Sequence, residues 1–150
     1  MRRIVFRVLA LVAVVSIMVS SVASAISNDN LSEIKPNASQ TLASYSSHIA
    51  VTSSTLRVHF TVCGTRTMDE IGASKIVLKE STNNSTWTTV KTYYPSTYTS
   101  MLKHGTAQCV SAVSYSSFVS GRYYKAVVTV KAERDGASDA RSITTAVKKA

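Results

Sequence analysis

From Phe118 to Val130 the chain reads F-V-S-G-R-Y-Y-K-A-V-V-T-V. Its second half alternates strictly. Tyr124, Ala126, Val128 and Val130 share one face, and Tyr123, Lys125, Val127 and Thr129 share the other. A period of two, built from β-branched and aromatic side chains, is the pattern of a strand buried on one side. The Ser120-Gly121 pair before it is a turn signal. No catalytic motif surrounds the stretch, so it constrains architecture and leaves chemistry open.

Similar short runs recur at fairly regular spacing. They predict strands over 46–52, 55–63, 74–81, 86–93, 107–115, 122–133 and 140–147, with no convincing amphipathic helix between them. In the second run Leu56, Val58, Phe60 and Val62 face one way, and Arg57, His59, Thr61 and Cys63 the other. Lys75 to Glu80 alternates, Asn83-Asn84-Ser85 turns, and Trp87 to Val90 returns, which is a hairpin. Asp135-Gly136 marks a second turn between the last two strands. About seven short strands with turns between them predict one all-β antiparallel sandwich over residues 41–150.

The N-terminus predicts export. Arg2, Arg3 and Arg7 form a basic start, Val8 to Val19 is apolar except for Ser16, and Ala23-Ser24-Ala25 offers small residues for cleavage. This apolar run is shorter than the roughly 20 residues a bilayer span requires. The expectation is a signal peptide helix over 1–25, cut after Ala25, and a secreted, extracellular product. No cysteine lies at the cleavage site and no wall-sorting pattern closes the chain, so no membrane anchor is expected to remain. Ile26 to Gln40 is polar and aperiodic and reads as a flexible leader over 26–40.

Around Phe118 to Tyr124 a family resemblance emerges. The strand order resembles a fibronectin type III or immunoglobulin-like sandwich, and this segment is similar to the tyrosine corner of such domains. The resemblance implies that the Tyr124 hydroxyl bonds back to backbone across the corner. Two positions depart from it: Ser120 stands where the fibronectin pattern has proline, and the single Trp87 lies on the fourth predicted strand. The whole chain also resembles small secreted proteins of clostridia and related Gram-positive bacteria, a likeness that implies no particular activity.

Cys63 and Cys109 are the two cysteines of the chain. An even count in an exported chain favours one disulfide, with free thiols as the alternative. In fibronectin-like sheets the two strands concerned are neighbours. A bridge closing about 47 residues would stabilise the fold by about 4 kcal/mol on the chain-entropy account. A zinc site from His59, Cys63, His104 and Cys109 fails on spacing. Strand residues four apart sit about 13 Å from each other, so His59 and Cys63 cannot share one ion. No metal and no cofactor are expected.

Enzymatic chemistry has little support. Most of the eight acids lie in turns or the leader, and Asp69 and Glu70 point apart on an extended chain. No nucleophile elbow accompanies His48, His59 or His104, and no glycine-rich phosphate loop is present. The expectation is a protein that is not an enzyme. Without its first three arginines the mature chain has 14 basic residues against 8 acids, a net charge of +6. That charge serves solubility or adhesion to an anionic polymer such as cell-wall teichoic acid or a glycan. The basic residues are scattered along the sequence, which argues against nucleic acid as a partner. The segment best suited to binding is Tyr93, Tyr94 and Tyr98 through Lys103 and His104, a tyrosine-rich connection stiffened by Pro95. The alternative is that its tyrosines cover an open side of the sandwich. These observations predict a secreted interaction module for a cell-wall polymer, glycan or protein. The alternative is a secreted effector, either a bacteriocin-like toxin or an enzyme inhibitor.

Overall fold

The computed structural model describes residues 39–150. The expected signal peptide and most of the expected leader lie outside the described residues. The described chain is all-β and antiparallel, with 70% of its residues in strands. β1 spans Leu42–Val51, β2 Leu56–Ser81, β3 Thr88–Tyr93, β4 Leu102–Tyr115, β5 Tyr123–Arg134, β6 Ala137–Thr144 and β7 Lys148–Lys149. One short 3-10 turn, Thr99–Met101, precedes β4. Among the described residues no helix is long and apolar enough to cross a membrane.

β2 organises everything else. The sequence predicts two strands, 55–63 and 74–81, but the structure runs them together as one strand of 26 residues. Its first half pairs with β1 on one edge and β4 on the other, from Leu56 to Cys63. Its second half pairs with β5 from Glu70 to Ser81 on one edge, and on the other with β4 from Met68 to Gly72 and then with β3 from Ile76 to Glu80. β6 and β7 both pair with β5. Such a long strand, straight, would span about 85 Å at the usual rise, so it must bend to return its apolar face to a core. Two register shifts allow this, one between Cys63 and Met68 and one between Ala73 and Lys75. A bulge inserts unpaired residues and sharpens the twist locally. Gly72 sits between these shifts at φ +147°. A Cβ there would stand 2.1 Å from the Met101 carbonyl oxygen, so the 3-10 turn packs on this strand only because the position has no side chain.

Both halves of β2 turn alternate residues into one core. Leu56, Val58, Phe60 and Val62 come from the first half, Ile71, Ile76 and Leu78 from the second, and Tyr124, Ala126, Val128 and Val130 from β5. β1 contributes Tyr45 and Ile49. Burying each aliphatic side chain contributes about 1.5–3 kcal/mol, which is what holds the bent strand against its partners. The turns match their chemistry. Asp135 and Gly136 both take positive φ, 50° and 78°, as a two-residue hairpin between β5 and β6 requires. Ser39 and Gln40, read from sequence as leader, are tied to the sheet. The Ser39 hydroxyl accepts the Thr41 and Leu42 N–H groups, and Thr65 donates to the Gln40 carbonyl at 2.7 Å.

Candidate functional site

The outer face of the second half of β2 gathers lysines from two strands. Lys79 stands directly opposite Lys125 of β5 in the ladder. Two rungs further, Val77 opposes Val127, and at the next row on that face Lys75 opposes Thr129. Alternation puts all six side chains on one side of the sheet. Like charges directly opposed across a ladder destabilise it. Lys75, Lys79 and Lys125 form no ion pair with any described residue. By contrast Lys131, further along β5, meets both Glu70 at 2.5 Å and Glu133 at 3.2 Å.

Aromatic rings complete the face. The Asn83 side-chain oxygen accepts the Ser85 and Thr86 N–H groups at 3.0 and 2.9 Å, and Asn84 adopts φ 58°. This tight turn delivers Trp87 beside β5, where Lys125 Nζ lies 4.0 Å from its ring centroid. Lys149 Nζ of β7 lies 5.4 Å from the Tyr123 ring. A cation over an aromatic face gains about 0.5–1 kcal/mol at an exposed site. That contact positions the ammonium without neutralising it. Lys75, Lys79, Lys125 and Lys149, with Trp87 and Tyr123, therefore make a positive surface with flat apolar patches. It can attract a chain of anionic groups and offer rings for stacking.

One rung away the charges are matched. Glu80 opposes Tyr124, and its carboxylate accepts hydrogen bonds from the Tyr124 hydroxyl and from Arg122. The Tyr124 oxygen in turn accepts the Val119 N–H at 2.8 Å. Phe118 meets the Tyr124 ring edge-on at 6.5 Å. Burial and the bond to Glu80 push the Tyr124 hydroxyl up to about 12. Burial alone would raise the Glu80 carboxyl. The bonds from Tyr124 and Arg122 and the guanidinium charge outweigh it, and hold the carboxyl below its ordinary range.

The tyrosine-rich segment is not one loop. Tyr93 ends β3 and is fully buried, with its hydroxyl donating to the Ser114 carbonyl at 3.0 Å. Tyr98 packs edge-on against it at 4.9 Å. Both cover the core, and burial pushes the Tyr93 hydroxyl well above its usual value. Tyr94 is half exposed. Lys103 and His104 belong to β4, opposite Ile71 and Glu70, and His104 Nδ1 lies 3.1 Å from the Asp69 carbonyl.

The expected bridge between Cys63 and Cys109 is absent, and both thiols are free. The strands do adjoin, but Cys109 opposes Val62 while Cys63 opposes Gln108. A one-residue offset puts the two side chains on opposite faces of the sheet. Cys109 is buried in the core, which pushes its thiol up. Cys63 faces outward, beside the Gln108 amide at 3.5 Å. Among the described residues no three His, Cys, Asp or Glu side chains come together to hold a metal. A cleft of about 450 Å³ lies between Ser39, Thr41, Thr65, Arg66, Arg134 and Asp135. Arg134 is already paired to Asp135 at 3.0 Å within it.

Sequence reasoning missed the lysine face because its members come from four separated segments. The only available signal was the alternation of Lys75 and Lys79 on one strand and of Tyr123 and Lys125 on another. No protein-family model, no curated protein and no solved structure matches the chain.

Proposed function

We propose that this protein is an exported, non-enzymatic β-sandwich module of the fibronectin or immunoglobulin type, cut after Ala25. In this reading it attaches to an anionic cell-surface polymer through the Lys75, Lys79, Lys125, Lys149, Trp87 and Tyr123 face. The observation that carries this is the Lys79–Lys125 rung. Two lysines stand as direct cross-strand partners with no carboxylate paired to either, whereas the neighbouring Glu80 and Glu70 rungs each bring a cation and a carboxylate together. Such a rung costs stability, and an external polyanion would supply the missing counter-charge. Each lysine near a negatively charged surface contributes about 1 kcal/mol, so four of them reach micromolar binding only if the rings add contact.

Wall fragments with and without their phosphate-bearing polymers test the reading. Retention of the protein by intact fragments, lost after the polymers are stripped and lost at high salt, supports it. Equal retention on stripped fragments contradicts it. Equal retention on duplex DNA would make the face a general polyanion surface and remove the wall from the proposal.

A further inference from the structure

His48 and His59 lie on the outer face of the other half of the sheet, away from the lysine rung along β2. Pairing Val51 with Leu56 at the β1–β2 hairpin sets the register that places His48 directly opposite His59. Their rings stack with centroids 4.8 Å apart and planes 4° from parallel. Both residues are half-buried. Neither ring nitrogen is hydrogen-bonded to a described residue. The same face carries Ala50 and Arg57 in the row on one side, Ser46 and Thr61 in the row on the other, and Ala112 of β4 beside His59. These neighbours are small except for Arg57, and none is a carboxylate.

Stacking neutral imidazoles contributes little, and the rings repel each other when both are protonated. Burial, then His48 and Arg57, lower the proton affinity of His59. Residues on facing strand positions have Cβ atoms about 4.5–5.5 Å apart. That is the separation at which one ion can be shared. Imidazole lone pairs lie in the ring plane, so the stacked rings must turn toward each other to share an ion, and the broad χ2 minimum of histidine permits that turn to the roughly 2.0–2.1 Å such ions require. Imidazole suits Ni²⁺, Cu²⁺ and Zn²⁺. No third protein ligand joins the pair among the described residues. Cys63 is four residues from His59, about 13 Å along the strand.

We propose that His48 and His59 form a two-histidine site for a borderline divalent transition metal ion, with the remaining coordination positions open to water or to a second ligand. Arg57 on the same face repels the ion and keeps the affinity moderate. The proposal is independent of the lysine face.

Ni²⁺ is the suitable probe, because Cu²⁺ would oxidise the outward Cys63 thiol. Calorimetric titration of the purified full chain at pH 7.5 should show one saturable Ni²⁺ equivalent. H48N and H59N should each weaken it at least tenfold. Losing a direct ligand costs no less than the roughly 10-fold or more seen when an outer hydrogen-bond partner of a ligand is lost. H104N and C63S should leave it unchanged. Binding should weaken as pH falls through the histidine range, since protons compete for both nitrogens. In the unsubstituted protein, sub-stoichiometric Ni²⁺ should broaden the imidazole resonances of His48 and His59 together and spare His104, a readout that needs no variant to fold. Absence of saturable binding, unchanged affinity in either H48N or H59N, or broadening at His104 alone would overturn the site.

Discussion

Two neighbouring rungs of the β2–β5 ladder are treated in opposite ways. At Glu80–Tyr124 every polar atom has a partner: carboxylate, hydroxyl, guanidinium and a backbone N–H close on one another, with the carboxylate side chain only 12% exposed. At Lys79–Lys125, one residue along, two positive charges are set face to face and left without an acid. The first rung lies on the core side, where an unmatched group would cost the full desolvation penalty. The second lies on the solvent side, where water tolerates the mismatch. The contrast separates what the fold needs from what it merely carries. Tyr124 is explained by stability and Lys79 is not.

Substitutions sharpen that contrast, beginning with the matched rung. Glu80→Leu removes the acceptor of the Tyr124 hydroxyl and the partner of the solvated Arg122 guanidinium, and should lower unfolding free energy by about 1.5–3 kcal/mol in denaturant titration, the range for bonds to a charged group. Tyr124→Phe keeps the ring and loses the hydroxyl. Chemical denaturation should register a loss of about 1–2 kcal/mol, because the Val119 N–H and Glu80 both lose a partner.

Acid probes the same rung without mutation. The folded-state pKa of Glu80 lies below its unfolded value, so its contribution is complete above the unfolded carboxylate range near 4.3 and fades as pH falls through the folded pKa. Thermal melts from pH 5 down to pH 2 should show wild type losing stability faster than Glu80→Gln. Parallel curves would mean that the rung is not the acid-sensitive one.

The unmatched rung should respond in the opposite sense. Lys79→Gln removes a repulsion and should leave stability unchanged or raise it by about 0.2–0.5 kcal/mol. A clear loss would mean that Lys79 has a structural role after all, and the distinction between the rungs would collapse.

Much of this architecture was legible in the sequence, because alternation is local. The buried faces of β5 and of the first half of β2 follow directly from Tyr124, Ala126, Val128 and Val130 and from Leu56, Val58, Phe60 and Val62. The continuity of β2 was not legible. Gly64-Thr65-Arg66-Thr67 breaks the alternation and reads as a connection, yet it is a bulged stretch paired on both sides of the register shift. Surface chemistry was harder still. Cys63 and Cys109 sit on adjacent strands, and only the pairing register shows that they face apart. His48 and His59 face together for the same kind of reason. The lysine face joins residues from separate strands, a turn and the C-terminal pairing. Side-chain clusters of this kind depend on register, which alternation alone does not specify.

The central claim is that the unmatched lysines exist for an anionic partner, and the salt dependence of binding tests it most directly. Affinity for a linear polyphosphate, measured for wild type and Lys79→Gln between 50 and 300 mM salt, should fall linearly on a log–log plot. The slope for Lys79→Gln should be shallower by about one, by analogy with the loss of one phosphate-contacting lysine. Identical slopes and affinities for the two proteins would contradict the account.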